Sequence, residues 1–442
     1  MVDTLITGRW IFDAVDGRLG ENAFVRISGD RIVEIGKIAA LPEELAECIR
    51  RYDYPDGCLV PGFVDVHVHL MYGTEGRMSG PRSYDHVNAE DSDELMLLRA
   101  VRNAYQHLLA GVTSMRDAGA RNRITFDLKD GFAARLFGMA PRVHASGRSL
   151  TMTGGHFYFC GEEADGPEEC RRAVRRLVKD GADFIKVMGS GGGTYITQPR
   201  YASFTVEELR AITIEAARHR KRTTIHALAT ETIRNALDAG FDCIEHVEFV
   251  EPDWSRRYDP EVGKRIADSG CFISPTLQCG WKGRLALENK LEAEGYLSKE
   301  EETQLVGLRA KTDQNLYTSG RLHELGVPMV VGTDAIARFG DYALGVALLV
   351  RAGFPEAEAL MAATRNGARA MDLEDEIGTL EPGKLADMVV VAGNPLHDIK
   401  VLEDVTQVVR AGEMVPMSAV ALFPLGPGGV VYPRRTMVPR SK

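Results

Sequence analysis

Several things are scarce in this 442-residue sequence, and each scarcity removes a class of function. Positive charge is in deficit: 53 Lys and Arg against 63 Asp and Glu leave a formal charge of -10. A chain of that sign has no general attraction for nucleic-acid phosphates or anionic lipid, so neither is an expected partner. Apolar runs of spanning length are missing, and the opening "MVDTLITGRWIFD" has no basic stretch followed by an apolar block. No membrane span or export signal is expected, and the reading is cytoplasmic. CxxC pairs are missing as well. The seven cysteines (Cys48, Cys58, Cys160, Cys170, Cys243, Cys271, Cys279) are odd in number and scattered, which argues against a disulfide framework or zinc ribbon and for reduced thiols. The stretch "GSGGGTYITQPRYASF" has three consecutive glycines but lacks the Lys-Ser or Lys-Thr of a phosphate-binding loop. It reads as a substrate loop.

What is present is alternation. From Leu59 onward eight short β-rich runs are separated by helical patterns: "LVPGFVDVHVH", "GVTSMRD", "PRVHASG", "DFIKVMGS", "TTIHALA", "CIEHVEF", "FISPTL" and "VPMVVGTDA". Intervening segments such as "EECRRAVRRLVKDG" repeat apolar residues at three and four positions and end on Gly or Asp. Repeated βα units of this number predict a (β/α)8 TIM barrel over residues 59–372. The flanks carry strand patterns without helices, so residues 1–58 and 373–415 are expected to form one small β-sandwich from both chain ends. The remainder, 416–442, is rich in Pro and Gly and reads as a surface tail.

Chemistry-bearing residues recur at one place in each unit. In "GFVDVHVHL" the period of two puts Asp65, His67 and His69 on one side of a strand. Lys186 lies in "FIKVM", His226 in "TIHAL", His246 in "IEHVE", and Asp334 ends "VVGTDA". A lone strand histidine is ordinarily a hydrogen-bonded core residue, and His144 in "PRVHASG" reads equally as barrel packing or as chemistry. Lys186 is harder to dismiss, because an ammonium among Phe184, Ile185 and Val187 costs several kcal/mol unless it is paired or neutralised. The carboxyl ends of all barrel strands meet on one face, so these residues converge there. Arg116 and Asp117 in "SMRDAG" are expected to pair beneath the site, and His156 in "LTMTGGH" to reach it from a loop.

By these residues, and by "SLTMTGGH", "IKVMGSGG" and the closing "IGTLEPGKLADMVVVAGNPL", the chain resembles the amidohydrolase superfamily. Within it the pattern is similar to the branch of imidazolonepropionase-like proteins, Xaa-Pro dipeptidases, ochratoxin-cleaving amidases and phenylurea hydrolases. The resemblance implies two divalent metal ions, zinc first and manganese second. His67, His69 and Asp334 would hold one and His226 and His246 the other, with Lys186 bridging them as a carbamate made from carbon dioxide. It further implies attack by a bridging hydroxide, with Asp334 moving its proton. A single-metal site, as in the deaminases and imidazolonepropionases, generally lacks the bridging lysine. A homo-oligomer is also implied, and no ligand is missing as it would be in a non-catalytic scaffold. His156, Tyr195, Tyr201 and Leu228 are the candidates for contacting a small-molecule substrate. Peptidase members often have Tyr or His where this chain has Leu228, and Tyr where it has Phe204. That departure points to a small amide, carbamate or aryl urea, with a dipeptidase, carboxypeptidase or N-acyl amino acid amidase as the alternative.

Overall fold

The computed structural model, which describes residues 3–42, 49–73, 90–336 and 338–417, pairs the strands at the amino end with strands from the other end of the chain. In chain order the strands are β1 (Thr4–Phe12), β2 (Leu19–Ser28), β3 (Arg31–Lys37), β4 (Arg50–Pro61), β5 (Phe63–Val68), β6 (Val112–Asp117), β7 (Arg142–Ala145) and β8 (Leu150–Thr151). They continue as β9 (Glu162–Glu163), β10 (Ile185–Met188), β11 (Thr223–Ala229), β12 (Cys243–Val250), β13 (Phe272–Ser274), β14 (Met388–Ala392), β15 (Val405–Arg410) and β16 (Glu413–Met414). β2 and β3 form a hairpin in which Ser28 faces Arg31, so the turn is Gly29 and Asp30, and Gly29 takes φ 63, a conformation glycine enters without penalty.

Seven strands make one sheet in the order β16-β15-β14-β4-β1-β2-β3, with β14 antiparallel to β4 from Met388 opposite Pro61 to Ala392 opposite Gly57. Ile6, Val25, Ile27, Ile32, Leu59, Val390 and Val409 supply its apolar core, so both chain ends share one cluster. β4 runs through the expected boundary at residue 58 to Pro61. Gly62 then makes the junction, where a Cβ would lie 2.1 Å from Thr113 Oγ1.

The remaining strands pair in parallel, β5-β6-β7 in one sheet and β13-β12-β11-β10-β8-β9 in the other. Helices cover them. In the helix Gly166–Asp180, Cys170, Ala173, Val174 and Leu177 fall on one buried stripe, a proline opens the first turn and Gly181 closes the last at φ 109. Thr205 and Glu208 form a capping box on the helix Val206–Arg218. Asp183 N–H donates to Ala145 O between β7 and β10. Residues 328–335, where the eighth strand was expected, pair instead through isolated bridges, Ile273 with Met329 and Val68 with Ala335, between β13 and β5. The seventh unit holds two helices, Trp281–Glu294 and Lys299–Glu324, where one was expected. The predicted tail beyond residue 417 lies outside the described residues.

Asp387 fastens the sheet to the helix-covered strands. Its carboxylate accepts from Arg142 at the start of β7 (2.9 Å), from Arg410 at the end of β15 (3.3 Å) and from the Ala411 N–H (2.7 Å). Asp387→Asn would leave two mostly buried guanidiniums without a counter-charge. Such removals cost about 3 kcal/mol. Urea unfolding should show that loss; a change under about 1 kcal/mol would mean that water solvates both arginines in the variant.

Candidate metal centre

β5 is buried at every position, so its polar side chains must find their partners within the protein. Asp65 is consumed structurally: it accepts from His67 N–H (3.0 Å), Thr333 N–H (3.1 Å) and Thr333 Oγ1 (2.7 Å), with His107 Nε2 at 3.4 Å. His67 and His69 are free of such duties and aim their Nε2 atoms at each other, 3.3 Å apart. Asp334 completes a triangle, with Oδ1 3.4 Å from His67 Nε2 and 3.6 Å from His69 Nε2. Its backbone N–H donates to His67 O at 2.7 Å, and Gly332 permits that approach, since a Cβ there would sit 2.8 Å from the His67 Cβ.

The other imidazoles stack inward from neighbouring strands. Ring centroids of His67 and His246 are 5.4 Å apart, those of His226 and His246 4.4 Å, and those of His156 and His226 4.8 Å. Lys186, 1% exposed, lays its Nζ against Glu245 Oε2, and the same oxygen is 3.3 Å from His67 Nδ1. Thus His67, His69, Lys186, His226, His246, Asp334 and the loop residue His156 do gather at the carboxyl ends of the strands.

Hydrogen bonds indicate which ring nitrogens are free. His69 Nδ1 faces Gly119 O (2.9 Å) and His226 Nε2 faces Gly191 O (3.1 Å), contacts a carbonyl makes only with a protonated nitrogen. The lone pairs therefore sit on His69 Nε2 and His226 Nδ1. His246 uses Nδ1 with Thr276 (2.7 Å), while its Nε2 is buried with no hydrogen-bond partner. Burial holds the His67, His156, His226 and His246 rings well below the usual imidazole pKa and lowers His69 too, so all five are neutral donors of electron pairs. Burial also pushes the Lys186 amine down to about 7. Two sets of donor atoms, His67 with His69 and Asp334, and His67 with Glu245 and His246, converge closely enough to hold a cation. Nitrogen and carboxylate oxygen at such a point suit zinc or manganese.

Some expectations fail. Arg116 and Asp117 do not pair, because neighbours on a strand face opposite ways. Arg116 donates to Val66 O (2.7 Å) and approaches Glu245 (3.6 Å), whereas Asp117 accepts from the Leu70 and Gly119 N–H groups. Tyr195 is 92% exposed and Tyr201 46% exposed under Arg200, so neither lines the buried centre. Leu228 is half-buried, its N–H on Ser190 Oγ, and Phe204 is packed in the core. His144 borders a separate cavity of about 230 Å³ with Arg116, Asp183 and Arg222.

Glu245 was missed. Strand alternation puts it opposite His246, but β12 leaves regular geometry at His246 (φ 69) and Val247 (φ 52), and both side chains reach the centre. Its signal was a carboxylate inside an otherwise apolar run. Cys279 was missed too: its thiol donates to Asp334 Oδ2 at 2.9 Å, and burial together with that carboxylate raises its pKa well above the ordinary range.

The chain is similar to known proteins over most of its length. Ochratoxinase of Aspergillus niger is 30% identical over 440 residues, covering 90% of this chain and 84% of that protein. Its crystal structure superposes with a TM-score of 0.77 at 28% identity, over 93% of this chain and 95% of the other. A Xaa-Pro dipeptidase with methionine bound in the active site gives a TM-score of 0.79 at 26% identity, over 93% and 99%. These likenesses give the chain an α/β TIM-barrel fold. The amidohydrolase family model matches residues 58–415, and the chain belongs to that family of hydrolases acting on carbon–nitrogen bonds.

Proposed function

We propose that the chain is a metal-dependent amidohydrolase that cleaves the carbonyl C–N bond of a small amide, carbamate or aryl urea. The observation that carries the reading is the triangle of His67 Nε2, His69 Nε2 and Asp334 Oδ1, flanked by Lys186, His226 and His246. His67, His69 and Asp334 would hold one divalent ion and His226 and His246 another. Bound there, such ions polarise a carbonyl and lower the pKa of water from about 15.7 toward about 7. Lys186, unpaired from Glu245, would add its amine lone pair to carbon dioxide and lose a proton, giving a carbamate between the two ion sites. Glu245 would keep Arg116 and the Thr224 hydroxyl (2.9 Å) as partners.

Asp334 has one oxygen toward the imidazoles and one toward Cys279, so it can take the proton of the attacking water and return it to the departing nitrogen. His156, held by Thr194 Oγ1 at 2.7 Å, stands beside His226 and would serve the carbonyl oxygen as it gains charge. The substrate is a small molecule, and among the described residues no helix is long and apolar enough to cross a membrane.

Elemental analysis and a rate panel test this reading. Protein loaded with zinc or manganese should hydrolyse members of a set of N-acyl amino acids, aryl amides and aryl ureas, and chelated protein should not. Turnover of lactones or phosphotriesters, with no C–N substrate cleaved, would replace it.

A further inference from the structure

The carboxyl end of β12 carries a second charged group that the metal centre does not use. Glu248, two residues past His246, is buried, and each carboxylate oxygen takes a different cation: Lys311 Nζ at 2.6 Å on Oε1 and Arg256 Nε at 3.0 Å on Oε2. Two positive charges on one negative charge leave one unit of positive charge over. Glu288 is shared by Arg284 and Arg309, and Asp313 is bound to Arg284, so both are taken by other cations. Among the described residues Glu248 is the ion-pair partner of Lys311, and it is shared with Arg256.

Its place in the fold points the charge at the centre. Lys311 comes from the second helix of the extra pair, Lys299–Glu324, and its stem crosses Gly280, where a Cβ would meet Cδ at 3.6 Å and Cε at 3.7 Å. Gly280 follows Cys279, whose thiol touches Asp334. The ammonium is therefore bracketed by the neighbour of His246 on one side and the neighbour of an Asp334 contact on the other. The side chain is 24% exposed, enough for a solute to reach it.

We infer that Lys311 is a specificity-determining residue that binds an anionic group, a carboxylate in the first instance, on the substrate of the metal centre. It supplies the polar partner that Leu228 and Phe204 do not offer, and among the amides of the proposed function it selects those that carry a carboxylate. The inference deepens the proposed function and rests on it for its turnover readout alone.

The test uses a matched pair, an N-aroyl phenylalanine and its carboxamide, with the full-length metal-loaded protein. Wild type should favour the acid, and in Lys311→Met the ratio of kcat/KM for acid over carboxamide should fall by roughly thirtyfold or more, mainly through KM. Lys311→Arg should restore most of the ratio. Calorimetric binding of 3-phenylpropionate, which needs no turnover, should weaken at least about tenfold in Lys311→Met relative to wild type and Lys311→Arg. An unchanged ratio, equal losses on both substrates, or unchanged 3-phenylpropionate binding in a variant that melts normally would overturn the assignment. Weakened binding without any C–N turnover by wild type would uphold Lys311 and overturn the amidohydrolase chemistry.

Discussion

Lys186→Ala should lower turnover by about a thousandfold or more and reduce bound metal below two ions per chain. The side chain is 1% exposed and its amine is pushed down to about 7 by burial, which favours the free base that reacts with carbon dioxide. Alanine removes both that amine and the cation opposite Glu245, which then has Arg116 at 3.6 Å as its remaining charged neighbour. Lys186→Met keeps more of the volume and separates a packing defect from a lost ligand. Short carboxylates such as formate or propionate should restore part of the activity in Lys186→Ala by filling the space of the carbamate. Full activity with two ions per chain would end the binuclear reading.

Asp334→Asn should cut kcat by roughly a hundredfold to ten-thousandfold while melting stays near that of wild type. The amide keeps one oxygen toward His67 and His69 and keeps the backbone bond to His67 O, so the loop holds its position. It cannot carry a proton between water and the departing nitrogen. The loss should sit in kcat more than in KM. A drop of only a few-fold at saturating metal would reduce Asp334 to a weak ligand.

How much of this was legible in the sequence depended on whether the local period held. "VDVHVH" follows the strand period faithfully, so His67 and His69 could be placed on one side of β5 from letters alone. Lys186 announced itself by its cost among apolar neighbours, and Asp334 by ending an apolar run. Where the backbone leaves its period the reading failed, as at Glu245, hidden by the positive φ of His246 and Val247. The Arg116–Asp117 pairing was a different error: period two already forbids it. The extra helix Lys299–Glu324 was invisible for another reason. A second helix in one βα unit violates no local pattern, yet it brings in Lys311. Tyr195 and Tyr201 sit in a loop, where no period says which side chains turn inward.

The pairing of β4 with β14 has a consequence for synthesis. Gly57 and its partner Ala392 lie at opposite ends of the sequence. With ribosomes adding about 5–20 residues per second, β4 leaves the ribosome tens of seconds before β14 exists. Until then the apolar edge at residues 57–61 presents open N–H and C=O groups, the arrangement that templates intermolecular pairing. The strand that covers this edge is thus also the nascent chain's protection against aggregation, and it arrives only after every strand from β5 to β13 has been made.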